Sequence, residues 1–141
     1  MKDKVNLHYL IEGTDFMSAG EASADVKRVL KQIGFDSDII RRAAIVMYEG
    51  ELNIVIHAGG GEVDVDIDEN EIAINFIDYG PGIDNVELAM KEGYSTAPDN
   101  VRALGFGAGM GLPNMKKYSD EFKIQTAKGK GTTVYAKIKV T

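Results

Sequence analysis

Cysteine is absent from these 141 residues, which removes disulfides, thiolate zinc sites and cysteine nucleophiles together. A positive excess is missing as well: Lys and Arg number 16 against 22 Asp and Glu, for a net charge of −6. No general attraction to nucleic acid or to an anionic membrane is therefore expected, and any anionic ligand must be held by local geometry. No apolar run approaches the ~18 residues of a membrane span, and Met1 to Asn6 lack the character of a signal segment. The expectation is a soluble cytoplasmic protein. Repeats, linkers and low-complexity stretches are also lacking, and the length fits one domain at about 150 residues per domain.

What the chain has in excess is glycine, with 16 residues where average usage of roughly 7% would give about ten. Most of them cluster between elements that the periodicity makes readable. Val5, Leu7, Tyr9 and Ile11 alternate as a first strand, followed by a turn at Gly13-Thr14-Asp15. From Phe16 to Ile33 the period becomes helical, and Gly34 stands where a left-handed residue would end the helix. Asp36 and Ser37 suit the cap of a second helix running to about Ala58, stopped by Gly59-Gly60-Gly61. Glu62 to Asp68 and Glu71 to Ile77 alternate as a hairpin with one wet face. Short helices are expected over Val86 to Lys91 and Leu112 to Tyr118, then strands over Phe122 to Thr126 and Thr132 to Val140. Glu92 to Gly111, rich in Gly, Ser, Asn and Asp, is long enough without structure to act as a lid. The fold class is α+β, with helices on one face of a mostly antiparallel sheet.

Four places carry candidate chemistry. Glu49, Asn53 and His57 recur every four residues near the end of the second helix. A carboxylate and an amide one turn apart can hold a hydrated Mg²⁺ and orient an attacking oxygen, although a polar helix stripe has the same pattern. Glu51 falls off that face and is expected to be solvated. Asp78-Tyr79-Gly80-Pro81-Gly82 follows a strand, so its carboxylate can accept a hydrogen bond from an exocyclic amine; an ordinary Asp turn reads the same way. In Gly105-Phe106-Gly107-Ala108-Gly109-Met110-Gly111-Leu112 every second residue is glycine up to a helix start. That arrangement frees backbone N–H groups for phosphate oxygens, where the alternative is a plain flexible loop. It is neither a Walker A loop nor a Rossmann fingerprint. Gly129-Lys130-Gly131-Thr132 enters the last strand and alone would be just a hairpin.

In this order and spacing the four places resemble the nucleotide-binding boxes of the GHKL superfamily of ATPases, which includes gyrases and histidine kinases. Glu49-x-x-x-Asn53 is similar to the N box, Asp78-x-Gly80-x-Gly82 to the G1 box, Gly107-x-Gly109-x-Gly111 to the G2 box and Gly131-Thr132 to the last box. The resemblance covers residues 36 to 140. It implies a Bergerat ATP-binding fold, a two-layer sandwich of a mostly antiparallel mixed sheet with helices on one face. It also implies ATP and Mg²⁺ as cofactors, Asn53 as the Mg²⁺ ligand and Glu49 as general base. Asp78 would hold the adenine amine, Thr132 would support it through water, and Gly82 would pack near the base. Gly80, Gly105, Gly107, Gly109, Met110, Gly111 and Leu112 would complete the nucleotide site under a lid of about residues 92–111. His57 would either pack or approach the phosphates, and Arg102, the one arginine of the lid, would contact the γ-phosphate, a partner or solvent.

Gly93-Tyr94-Ser95-Thr96 and Gly111-Leu112-Pro113-Asn114-Met115-Lys116-Lys117 look most like the bacterial anti-sigma-factor and switch serine/threonine kinases, although Ala97 to Leu104 is longer than expected of the latter. That resemblance implies transfer of the ATP γ-phosphate to a Ser or Thr of a STAS-domain antagonist. It also allows a non-catalytic ATP-dependent switch that sequesters a sigma factor or an enzyme, a detached histidine-kinase ATPase domain, and a homodimer.

Overall fold

A computed structural model describes residues 4–12, 19–58, 60–80, 90, 111–127 and 129–140, without the side chains of 57, 58 and 127. The expected helix over Val86 to Lys91, apart from Met90, and the 92–111 segment, apart from Gly111, lie outside these residues. Strand β1, Val5–Glu12, buries Ile11 and half-buries Val5, Leu7 and Tyr9 while exposing Asn6, His8, Leu10 and Glu12, as strict alternation requires. Helix α1, Glu21–Ile33, turns Ala22, Ser23, Val26 and Leu30 inward. It ends at Gly34, whose φ of 102° and N–H bond to the Leu30 carbonyl are those of a left-handed stop.

Helix α2, Ser37–Asn53, begins after Asp36, but the Asp36 side chain makes no capping hydrogen bond. The helical chain reaches Ala58 as expected. Its last turn, Ile54–Ala58, is however a π-helix, whose backbone bonds span five residues rather than four, so the four-residue period is not kept to the end. Gly60 and Gly61, expected to be part of the stop, open strand β2 instead, Gly60–Ile67. Strands β3, Glu71–Asp78, β4, Glu121–Ala127, and β5, Gly131–Lys139, follow, with helix α3, Gly111–Lys117, preceding β4.

The sheet order is β1-β2-β3-β5-β4, and every pairing among the described strands is antiparallel. The expected mixed character is absent from these pairings for a topological reason. Strand β4 runs parallel to β3, but β5 enters between them and pairs antiparallel with both. Val63, Val65, Ile67, Ile72, Ile74, Phe76, Val134, Ala136 and Ile138 pave the inner face, and Val26, Leu30, Ala43, Val46, Met47 and Ile54 of the helices cover it. The other face carries Asp64, Asn75, Tyr135 and Lys123 in one row across the sheet, polar as a solvated face requires. At one crossing the helix lies directly on the sheet: a Cβ on Gly50 would sit 2.1 Å from the Phe76 ring. Only glycine admits that approach without a shift of the ring.

Candidate functional site

Two regions carry the predicted chemistry. The first is the end of β3, where Asp78 pairs in register with Thr132 of β5. The half-buried Asp78 directs Oδ1 at two backbone donors, the N–H of Gly80 at 3.0 Å and that of Thr132 at 3.1 Å. Thr132 is 4% exposed, and its hydroxyl lies 2.9 Å from that of Thr126 on β4. Gly131 has φ +90°, and a Cβ there would fall 2.2 Å from the Asp78 carbonyl oxygen. The residue that admits β5 beside Asp78 thus has to be glycine. Oδ1 is consequently committed to the chain, and among the described residues no donor occupies Oδ2. A fixed carboxylate with one oxygen free to accept can recognise an exocyclic amine. Thr132 also braces Asp78 directly, through its own N–H.

The second region lies where α2 meets α3. Glu49 is half-buried, and burial pushes its carboxyl above the ordinary value, while a hydrogen bond from the Asn114 side chain pulls the other way. Gly111 lies against it, since a Cβ there would be 3.4 Å from Glu49 Oε2. Asn53, half-buried, follows one turn later. Helix α3 is anchored by Leu112 and Met115, which are 7% and 0% exposed, so the Leu112 side chain belongs to the core and only its backbone can face a ligand. Asn114 was not among the expected site residues. Its signal was the three-residue spacing from Gly111, which puts both on one helical face.

Among the described residues no group of three or more His, Asp or Glu is placed to hold a metal ion. The half-buried Asn53 offers an amide oxygen, a hard donor of the kind that a Mg²⁺ carrying phosphate and water ligands accepts.

Glu51 overturns its expectation. It is not solvated but 3% exposed, and it accepts hydrogen bonds from the backbone N–H of Ser23 at 3.1 Å and of Ala22 at 3.4 Å. The N-cap position of α1 is Gly20, which has no side chain to satisfy these donors, so α2 supplies a carboxylate to a helix end that would otherwise bury unpaired N–H groups. Ser23 adds a hydroxyl bond to the Ala44 carbonyl at 3.0 Å. His8, expected as a strand residue, lies in β1. The side chain of His57 and the residues Gly82, Arg102, Gly105, Gly107, Gly109 and Met110 lie outside what the structure describes.

The model of the Histidine kinase-, DNA gyrase B-, and HSP90-like ATPase family matches residues 38–141. The serine/threonine-protein kinase RsbT of Bacillus subtilis is 31% identical over 114 residues, covering 78% of this chain and 80% of that protein. An anti-sigma F factor of Clostridium beijerinckii is 31% identical over 135 residues, covering 89% and 91%. The crystal structure of the RsbU and RsbW domains of a Mycobacterium tuberculosis protein superposes with a TM-score of 0.64 at 19% identity, covering 95% of this chain and 31% of that one. This last likeness supports the fold alone.

Proposed function

This chain belongs to the Histidine kinase-, DNA gyrase B-, and HSP90-like ATPase family, and from that premise we propose that it is a cytoplasmic, ATP-dependent serine/threonine protein kinase of the anti-sigma-factor type. The observation that carries the reading is Glu49: a half-buried carboxylate with a raised pKa and one amide partner, set beside the first residue of α3 and one turn before Asn53. In this reading Asp78 accepts from the adenine amine through Oδ2, and Thr132 keeps the carboxylate aimed. Gly80 and Gly82 let the base approach, and residues 92–111 close over the phosphates with their glycines.

The acceptor is a Ser or Thr hydroxyl of a regulatory partner, a STAS-domain antagonist, and a sigma factor is the other partner class. Glu49 takes the hydroxyl proton as its oxygen bonds to the γ-phosphorus, and the bond from that phosphorus to the bridging oxygen breaks to release ADP. Asn53, together with the phosphates, would hold a Mg²⁺, which would neutralise charge there. Burial suits Glu49 to this work, because a carboxylate of raised pKa is the stronger base.

Asp78→Asn tests the reading. The substitution keeps an oxygen for the Gly80 and Thr132 N–H groups but puts a donor where the amine must donate. Calorimetry should show ATP·Mg²⁺ binding to the unaltered chain and a loss of about 10- to 100-fold in the variant, the scale of one unpaired polar group. A wild type that binds no ATP at millimolar concentration would overturn the proposal, as would a variant that binds equally well.

A further inference from the structure

The turn that carries Asp78 is held from both faces of the sheet. Asp78 is the last residue of β3 and Tyr79 the next, and their side chains find partners on opposite sides of the sheet. Asp78 turns toward Thr132 on the inner side, whereas Tyr79 stands 69% exposed on the outer side. There its phenol donates to Glu62 Oε2 of β2, and Glu62 Oε1 lies 3.2 Å from His8 Nε2 of β1. The register explains the reach. Glu62 pairs with Leu10 on one side and Ile77 on the other, and His8 and Tyr79 are each two residues from those partners, at diagonal positions that long side chains span. One carboxylate thereby ties the edge strand, its neighbour and the residue just past the end of β3.

Strand pairing ends at Asp78. Beyond it, the chain among the described residues is held by two hydrogen bonds, Gly80 N–H to Asp78 on the inside and Tyr79 to Glu62 on the outside. The first closes the turn on itself, and the second fastens it to the sheet. We propose that Glu62 is a positioning residue for the nucleotide site: by clamping Tyr79 it fixes the peptide between Asp78 and Gly80, and with it the direction of the Asp78 oxygen left for the base. The inference rests on the reading of Asp78 as the adenine contact. The hydrogen bond to Glu62 also pushes the Tyr79 phenol above its ordinary value, so Tyr79 remains a donor at any working pH. An exposed hydrogen bond of this kind adds little to global stability, and its value lies in which way the turn points.

The test uses the full chain with Tyr79→Phe, Glu62→Ala, Glu62→Gln and the Tyr79→Phe/Glu62→Ala pair. Tyr79→Phe and Glu62→Ala should each raise the ATP Kd and KM by roughly three- to tenfold, the scale of one hydrogen bond, with kcat within about twofold. The double variant should be no weaker than either single one, because both remove the same contact. Glu62→Gln still accepts from the phenol and should recover wild-type affinity, which a loss of bulk or charge would not explain. Unchanged Kd in Tyr79→Phe and Glu62→Ala overturns the inference, and so does Glu62→Gln binding as weakly as Glu62→Ala. If the wild type binds ATP, Asp78→Asn weakens it and these variants do not, this inference fails alone; if the wild type binds no ATP, the adenine reading falls with it.

Discussion

Glu49 and Glu51 stand two residues apart on α2, and a helix of 3.6 residues per turn sends them about 200° apart. Their fates differ accordingly. Glu51 faces α1, is 3% exposed and accepts from the N–H groups of Ala22 and Ser23. Glu49 faces α3, is half-buried, has Asn114 as its named partner, and has a carboxyl pushed up by burial. A carboxylate that accepts from two backbone donors at a helix end is committed to the fold, because moving it would leave buried donors unpaired. One that loses solvent without comparable hydrogen bonding is held closer to the point of taking a proton. The same residue type, on the same helix, is thus committed to the fold on one side and left with a raised pKa on the other.

The difference predicts that activity and stability separate cleanly between the two positions. The largest effect belongs to Glu49→Gln. Phosphate transfer from labelled ATP to a STAS-domain partner should fall by about 10²- to 10⁴-fold, the usual contribution of a general base, while ATP affinity holds and the urea midpoint at neutral pH does not fall. Persistent transfer would leave the base to be found elsewhere. Next comes Glu51→Ala, which strips the α1 end of its acceptor. Urea unfolding should show a loss of about 2–4 kcal/mol, the cost of two buried N–H groups without partners, and the folded fraction should still bind ATP. Equal stability of Glu51→Ala and wild type would mean that α1 recruits water or another acceptor, and the contrast with Glu49 would collapse.

Much of this was legible in the residues, and the exceptions share a cause. Alternation marked β1, β2 and β3 because each has one wet face, and Gly34 marked the end of α1 because only a residue free of Cβ strain stops a helix that way. Asp78 stood out because a strand end, two glycines and a carboxylate coincide within five residues. Glu51 could not be read, because its partners belong to a helix start about thirty residues earlier and the missing cap at Gly20 shows only once both helices are placed. The π turn at Ile54–Ala58 and the entry of β5 between β3 and β4 are likewise settled by packing rather than by local pattern. Asn114 sat in a quoted motif, but its bond to Glu49 depends on how α3 docks on α2.

The smallest effect sharpens the contrast furthest, because it reads the proton of Glu49 directly. Burial raises the folded-state pKa of Glu49 above its ordinary 4.5, and the Asn114 amide opposes that rise. The folded chain therefore keeps this proton to higher pH than the unfolded chain does, so its contribution to stability falls as pH climbs from 4.5 through the raised value. Glu49→Gln should remove that fall, and below the ordinary carboxylate range the two proteins should converge. Asn114→Ala removes the opposing hydrogen bond, which moves the Glu49 pKa further up. The acidic limb of the kcat/KM profile for transfer should then shift to higher pH, with the loss of rate confined to that limb. A limb that stays in place when Asn114 is removed would mean that the group titrating in catalysis is not Glu49, even if Glu49→Gln is inactive. A limb that moves would tie the proton of the reaction to this half-buried carboxylate rather than to its structural neighbour two residues on.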